Sequence, residues 1–127
     1  MTDLNTVINI HTVLIEKFGG AHGIRNKELL QSALTRPFAT FDGKELYPTA
    51  IAKAASLIES ILINHPFIDG NKRIGYVLMR LILLENGIDV KATQIEKYEF
   101  VIAIASGKSN AEDIELWLQK HSIEINK

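Results

Sequence analysis

The sequence predicts an all-α domain of about six helices that carries one small β-hairpin. Apolar residues recur at helical spacing through most of the chain, which predicts the helices. A single Asp-Gly pair between short aromatic and apolar flanks predicts the hairpin. The chain has 127 residues, of which 46% are hydrophobic and 23% are charged, as is ordinary for a folded domain. We therefore expect residues 1–127 to form a single domain.

The composition argues against several classes of protein. The 14 basic and 15 acidic residues give a net charge of -1, so we expect no direct binding of nucleic acid. The chain has no cysteine, which excludes disulfides and thiolate sites. Lys53, Glu59 and Arg80 interrupt the most apolar segments, and the first ten residues lack the pattern of a secretory signal. We therefore expect a cytoplasmic protein without a membrane partner.

The first part of the chain predicts two helices. Apolar side chains at helical spacing predict the first over residues 4–18, and Gly19-Gly20 ends it. The stretch KELLQSALT predicts the second, with Asn26 as its N-cap and an end before the next proline. His11 lies on the apolar face of the first helix, where we expect a core or boundary histidine.

The hairpin is predicted by Asp42-Gly43, a dipeptide that favours the tight turn between two antiparallel strands. A hairpin of two strands is only marginally stable by itself. Residues 38–47 are therefore expected to form a flap on the helical body.

The third and fourth helices are expected to be the most buried. The third follows Pro48 and runs to about Asn64, with apolar residues round most of its circumference and a narrow polar stripe that includes Ser56 and Ser60. The fourth is predicted over residues 71–86, and a glycine closes it.

Two shorter helices are predicted after the fourth. Each begins with the pattern of a capping box, Thr93 with Glu96 for the fifth and Ser109 with Glu112 for the sixth. Trp117, on the apolar face of the sixth helix, is expected in the core.

The stretch NHPFIDGNKRIG, residues 64–75, places dense polar chemistry at the junction of the two most buried helices. His65 precedes a proline, which disfavours continued helix and turns the chain outward. An imidazole at a helix end can act as a general base near neutral pH. Asp69 offers the hard oxygen ligand that Mg²⁺ prefers. A rigid junction of this kind is a suitable support for an active site.

The residues that follow favour phosphate binding. Gly70 lets an anion approach the backbone, and Asn71 opens a helix whose free N–H groups attract phosphate. The positive charges of Lys72 and Arg73 are unfavourable at the N-terminus of a helix, which is the positive end of its dipole. A bound polyphosphate would explain why both cations are placed there. Each part alone has an ordinary explanation as a turn, a cap or a solvated face. The combination of base, metal ligand, glycine and two cations within nine residues favours phosphoryl chemistry.

Residues 65–73, HPFIDGNKR, resemble the signature of the Fic/Doc family, His-Pro-Phe-x-Asp/Glu-Gly-Asn-Gly/Lys-Arg, at every specified position. The segment GGAHGIRNKELLQSALTRP at 19–37 is similar to the corresponding segment of the death-on-curing (Doc) branch of this family. ENGIDV, residues 85–90, also fits that branch. The resemblance covers nearly the whole chain.

The resemblance implies a Fic-type helical fold with a β-hairpin flap, and the transfer of a phosphate-containing group from Mg²⁺-ATP to a protein hydroxyl. It implies that His65 is the catalytic base and that Asp69 holds Mg²⁺. Gly70, Asn71, Lys72 and Arg73 would bind the phosphates of ATP. The flap would hold the target by strand pairing, and its predicted docking residues are Phe41, Asp42, Gly43 and Lys44.

Two positions separate the branches of the family. Lys72 stands where AMP-transferring members usually carry Gly, and Tyr76 stands where they carry a second Arg. Both resemble the Doc branch, which is associated with transfer of the terminal phosphate. Gly70 is less typical, since the founding Doc protein has Ala there. Arg80 lies on the same helix face as Arg73 and either replaces the absent Arg or forms a salt bridge.

These features together imply a toxin of a toxin–antitoxin system, acting as a protein kinase on a Ser/Thr hydroxyl of a translation factor. Elongation factor Tu is the expected substrate, and its modification would block translation. One alternative is an AMP transferase. A second is a non-catalytic module that binds a nucleotide or a partner, against which the intact His65 and Asp69 argue.

Restraint of such a toxin is expected from a cognate antitoxin in trans. Some family members carry an inhibitory Ser/Thr-x-x-x-Glu helix in the same chain. Here Ser109 is followed four residues later by Asp113, not Glu, so we find no clear copy of that helix.

Overall fold

The computed structural model describes residues 3–125, and within them the chain forms six α-helices and four short strands. The helices are α1 (Leu4–Phe18), α2 (Lys27–Thr35), α3 (Ala50–Asn64), α4 (Asn71–Glu85), α5 (Gln94–Ala105) and α6 (Ala111–His121). The strands are β1 (Thr40–Phe41), β2 (Lys44–Glu45), β3 (Ile88–Val90) and β4 (Ser122–Glu124), and a 3₁₀ turn spans Arg36–Phe38. The predicted all-α class, with six helices and a hairpin flap, is confirmed. None of these helices has the length and apolar character that crossing a bilayer requires.

α3 is the central helix and packs against α2, α4, α5 and α6. Nine of its residues are buried: Ala52, Ala54, Ala55, Ser56, Leu57, Ile58, Ser60, Ile61 and Leu62. The two serines of the polar stripe are therefore buried together with the apolar residues of this helix. Hydrogen bonds explain their burial. The Ser60 hydroxyl accepts from the Arg36 guanidinium at 2.9 Å, and the Ser56 hydroxyl donates to Lys53 O at 2.9 Å.

α3 and α4 pack closely at Gly75, which is buried. A Cβ atom at this position would overlap Leu62 Cδ1 and would lie 3.4 Å from Ile61 Cγ2. Glycine is unfavourable inside a helix, by about 1 kcal/mol relative to alanine. Its presence here is explained by the packing, since the methyl group of an alanine would meet the buried side chain of Leu62 on α3.

A second small sheet lies at the other end of α4. β3 pairs antiparallel with β4, with Asp89 opposite Ile123 and Val90 opposite Ser122. The sequence predicted no strand in either place, because three residues are too few to show the alternation of a strand. Arg80 donates to the Asp89 carboxylate at 2.8 and 2.9 Å, so Arg80 forms the salt bridge and ties α4 to β3.

The fifth helix begins as predicted, and the sixth begins one residue later than predicted. The Thr93–Glu96 capping box is present at α5. At α6 the box is formed by Asn110 and Asp113, one residue later than the predicted Ser109 and Glu112. Both pairs place a capping side chain three residues before a carboxylate, so the local pattern does not distinguish between them.

We expect Gly75→Ala to lower the free energy of unfolding by about 1–3 kcal/mol, because the added methyl overpacks the contact between α3 and α4. The gain in helix propensity, about 1 kcal/mol, is too small to cancel this effect. Chemical denaturation measures the change. Leu62→Ala in the same chain should relieve the overlap, so the double variant should lose less than the sum of the two single losses. Strict additivity would contradict the proposed clash.

Candidate active site

The loop between α3 and α4, residues 65–70, begins and ends in left-handed backbone. His65 is the C-cap of α3, with φ 50° and ψ 61°, and its N–H donates to Ile61 O. Gly70 is the N-cap of α4, with φ 74° and ψ 17°. Left-handed backbone is uncommon for a residue with a side chain. The loop holds His65 in this conformation through the contacts described next.

The His65 ring is exposed, and its hydrogen bond defines the neutral tautomer. Nε2 lies 3.0 Å from Leu62 O. A carbonyl only accepts, so Nε2 carries the hydrogen and Nδ1 keeps the lone pair. The Arg25 guanidinium donates to His65 O at 2.6 Å and to Asn64 O at 2.5 Å, which fixes the end of α3. The arrangement leaves Nδ1 able to accept a proton.

The Asp69 carboxylate is exposed and is held by two backbone donors. Ala21 N–H donates to Oδ2 at 3.1 Å, and Gly70 N–H donates to Oδ1 at 2.8 Å. These two bonds lower the pKa of Asp69, with smaller contributions from the charges of Arg73 and His11. Hydrogen bonds to the charged form favour that form. Asp69 is therefore a carboxylate at neutral pH.

The segment 19–26 supports this loop from outside. Arg25 N–H and Asn26 N–H both donate to Pro66 O, at 2.7 and 3.0 Å, and Ile68 N–H donates to Gly23 O at 3.0 Å. Gly20 has φ 116°, and a Cβ there would lie 2.8 Å from Asp69 Oδ2. The glycines of this segment thus permit the close approach that the loop needs.

His11 was predicted only as a core or boundary histidine, and it connects α1 to the loop through two contacts. It is 3% exposed and stacks on Phe67 with ring centroids 3.9 Å apart. Its Nε2 donates to Asp69 O at 2.8 Å. A sequence pattern could not have shown this role, because an apolar helix face predicts burial but not the partner.

The Asn71 side chain closes the loop on itself. Its Oδ1 accepts from Phe67 N–H at 3.0 Å, and its Nδ2 donates to Phe67 O at 2.9 Å. The amide is thus used by the loop, and what Asn71 offers to a phosphate is its backbone N–H. α4 has no side-chain cap, and the first N–H groups of a helix have no partner within it.

The two cations of the motif differ in their contacts. Lys72 is exposed. Arg73 lies over the end of α1, where it donates to Gly19 O at 3.3 Å and its guanidinium is 5.2 Å from the Phe18 ring centroid. Both remain close to the uncapped start of α4, which together with them attracts anions.

One cleft of about 680 Å³ brings the motif residues together. All six predicted residues of the motif line it: His65, Asp69, Gly70, Asn71, Lys72 and Arg73. The opposite wall comes from α5, which the sequence did not predict as part of a site: Gln94, Lys97, Tyr98, Val101 and Ile102. No local motif marks these five residues, since only the fold brings α5 beside α4.

The flap residues do not line this cleft. Phe41 pairs with Lys44, and the turn residues Asp42 and Gly43 have φ of 55° and 77°, as a two-residue hairpin turn requires. All four of these residues are exposed, and Phe41 is 75% exposed. The hairpin prediction is confirmed, and the role of these residues in docking stays a prediction.

The donors at the motif suit a magnesium ion that arrives with a nucleotide. Within residues 3–125 no three His, Asp or Glu side chains are grouped closely enough to hold a metal by themselves. Mg²⁺ commonly takes one or two carboxylates and completes its shell with water and substrate phosphates. Asp69 fits this pattern, because it is exposed and ionised and each oxygen keeps a lone pair beyond its backbone bond.

The comparison with known families covers the first three helices and most of the fourth. Residues 1–83 match the family model described as the Fic/DOC family. The chain belongs to the Fic/DOC family. A stretch of 75 residues is 40% identical to the protein named Toxin Doc from Mycolicibacterium smegmatis, and it covers 59% of this chain and 58% of that protein. The Fic/DOC match includes the whole motif and ends within α4, so α5 lies beyond it.

We expect substitutions at His11 to distinguish its contribution to global stability from its contribution to the order of the loop 65–70. His11→Ala should lower the free energy of unfolding by about 2–4 kcal/mol, because it removes a buried ring and the partner of Asp69 O. His11→Phe should keep the stack on Phe67 but leave Asp69 O unsatisfied, and His11→Gln should retain a donor. Denaturation and amide hydrogen exchange at Gly70 measure the two effects.

The control for this series is Val7→Ala, which empties a fully buried position one turn earlier on α1. It should lower global stability while leaving the local opening of the loop unchanged. The amide hydrogen of Gly70 should exchange faster in His11→Phe than in Val7→Ala. The comparison is made after each exchange rate is corrected for the free energy of unfolding of that variant. Equal protection at Gly70 in these two variants would show that His11 acts only through core packing.

Proposed function

We propose that this chain is a Doc-type toxin that acts as a Mg²⁺-ATP-dependent protein kinase on a Ser or Thr hydroxyl of a translation factor. The observation that carries this proposal is the cleft in which His65, Asp69, Lys72 and Arg73 lie together. Elongation factor Tu is the first target to test. The 40% identity to a protein named Toxin Doc supports the toxin role.

His65 is proposed as the general base. Its Nε2–H is engaged by Leu62 O, so Nδ1 is the atom that accepts the proton of the target hydroxyl. The hydroxyl oxygen forms a bond to the γ-phosphorus, and the bond from that phosphorus to the β–γ bridging oxygen breaks. ADP leaves with the electron pair of the broken bond. The target gains one phosphate, and the proton remains on His65.

The phosphates of ATP are proposed to lie over the start of α4. The uncapped N–H groups there, the Lys72 ammonium and the Arg73 guanidinium offer positive charge where phosphoryl transfer needs it. Asp69 is the proposed ligand of Mg²⁺, which when bound supplies charge neutralisation to the phosphates. Its lowered pKa keeps this ligand ionised at neutral pH.

Phosphate transfer is favoured over AMP transfer by the residue at position 76. Tyr76 lines the cleft, and burial raises the pKa of its hydroxyl, so it carries no charge at neutral pH. A second Arg at this position would clamp the outer phosphates of a nucleotide that donates AMP. Without that cation, the cleft fits better a nucleotide bound in the reverse orientation, with its γ-phosphate beside His65.

Two further partners belong to the same proposal. The exposed flap would bind the target segment by adding it as a strand to β1 or β2. A cognate antitoxin, supplied in trans, would restrain the toxin.

Intact-mass spectrometry decides which group is transferred. Elongation factor Tu incubated with the wild-type protein and Mg²⁺-ATP should gain one phosphate, with release of ADP. His65→Asn, which tolerates left-handed backbone, should remove at least 99% of the activity because the base is lost. His22→Ala, at an exposed histidine outside the cleft, is the matched control and should remain active. Gain of one adenylyl group would favour the AMP transferase, and no gain with any translation factor would favour the non-catalytic module.

Calorimetry tests Asp69 separately from activity. Wild-type protein should bind ATP more tightly with Mg²⁺ than without it, and Asp69→Asn should lose most of that difference because a neutral amide is a weaker Mg²⁺ ligand. A circular-dichroism melt controls for loss of the backbone bonds to Ala21 and Gly70. A magnesium effect of the same size in Asp69→Asn would exclude this carboxylate as the ligand.

A further inference from the structure

The Arg25 side chain reaches from the segment before α2 to the end of α3. Its Nε donates to His65 O at 2.6 Å, and its Nη2 donates to Asn64 O at 2.5 Å. Both acceptors lie at the C-terminus of a helix, where the last carbonyls have no partner within the helix and where a cation is favourable. One guanidinium therefore serves two consecutive carbonyls.

These two carbonyls belong to the peptide planes on either side of the His65 Cα atom. The φ and ψ angles of a residue are the rotations of its two flanking peptide planes. The guanidinium is planar and presents its N–H groups as a rigid fork, so it holds both planes at once. The fork therefore supports φ 50° and ψ 61° at His65, a left-handed conformation that is unfavourable for a residue with a Cβ atom.

The proline that follows His65 makes this support necessary. Pro66 favours extended backbone at the residue before it. Without the fork, His65 would leave the left-handed region for an extended conformation more readily. That rotation would carry the ring away from Leu62 O, which lies 3.0 Å from Nε2. Either ring nitrogen could then carry the hydrogen, because no carbonyl would select between them.

We propose that Arg25 is a positioning residue for His65, because its grip on the two peptide planes keeps Nε2–H on Leu62 O and leaves the lone pair on Nδ1. This inference rests on the proposed role of His65 as the general base. A ring with the other tautomer would present an N–H at Nδ1, which cannot accept the proton of a hydroxyl. Arg25 lies outside the residues that line the cleft, so it acts through His65 and not on a bound ligand.

The Arg25 side chain can be changed without undocking the loop. The backbone N–H of Arg25 donates to Pro66 O at 2.7 Å, and the N–H of Asn26 donates to the same oxygen at 3.0 Å. A substitution of the side chain keeps both of these bonds. Arg25 is also exposed, so its replacement leaves no cavity in the core. The two bonds from the guanidinium are therefore what a variant removes.

Nuclear magnetic resonance of protein with ¹⁵N-labelled histidine measures the tautomer without an assay of activity. A ring nitrogen that carries hydrogen and one that carries a lone pair have distinct chemical shifts. Spectra are recorded at a pH at which the ring is neutral, and the signals lost in His65→Asn identify His65. Wild-type protein should show the Nε2–H tautomer alone, whereas Arg25→Met should show both tautomers.

Two further variants make this comparison specific. Arg25→Lys should give an intermediate spectrum, because a single ammonium does not reproduce the fork. Lys27→Met is the matched control, since Lys27 is an exposed cation on the neighbouring turn and lies outside the cleft. It should keep the wild-type spectrum. A thermal melt checks that all of these variants fold.

The kinetic test separates kcat from KM in the transfer of phosphate from Mg²⁺-ATP. Arg25→Met should lower kcat about tenfold or more and leave the KM for ATP within about twofold of wild type, because the base is displaced while the cleft is intact. A single Nε2–H tautomer in Arg25→Met, or an unchanged kcat, would overturn the positioning role. Failure of the wild-type protein to transfer phosphate would overturn the proposed function, whereas a mixture of tautomers in Arg25→Met would still establish that Arg25 positions His65.

Discussion

The backbone hydrogen bonds between residues 19–26 and the loop 65–70 are the constraint on which the site depends. The loop must connect two helices that pack closely at Gly75, and it is too short to satisfy its own polar groups. Pro66 O, Ile68 N–H and Asp69 O instead find partners in the segment after α1 and in His11. The conformation of the motif is therefore set largely by residues some 40 to 60 positions earlier in the chain.

This dependence couples the position of Asp69 to its charge. The N–H groups of Ala21 and Gly70 fix the carboxylate in space, and the same two bonds lower its pKa. Bonds from N–H groups to a carboxylate are stronger than bonds between neutral groups. An exposed ion pair in their place would contribute little, because water screens it. Movement of the segment 19–26 would thus change where the negative charge lies and how readily it is protonated.

Local signals were enough to predict most of the fold. The apolar spacing and the glycine pair gave α1 with its observed bounds, and Asn26 caps α2 as expected. The Asp42-Gly43 turn has the two positive φ angles that its sequence favours. In each of these cases the residues that determine the structure lie within a few positions of it, so a local sequence pattern is enough to predict it.

The features that were missed depend on contacts between distant parts of the chain. His11 and Arg25 act on a loop some 40 to 58 residues away, and α5 forms a wall only because the fold sets it beside α4. β3 and β4 are short and far apart in sequence, so neither could be recognised alone. The motif could be located from the sequence, whereas the residues that hold it in place and the opposite wall required the structure.

The stacked column at α5 and α6 also gives the protein an optical reporter of its own. Trp117 is the single tryptophan of the chain, and its indole lies between the rings of Phe100 and His121. Its fluorescence therefore senses whether these two helices remain docked, and an adjacent imidazole quenches an indole more strongly once it is protonated. A spectroscopist who follows this signal observes the part of the molecule that carries Tyr98.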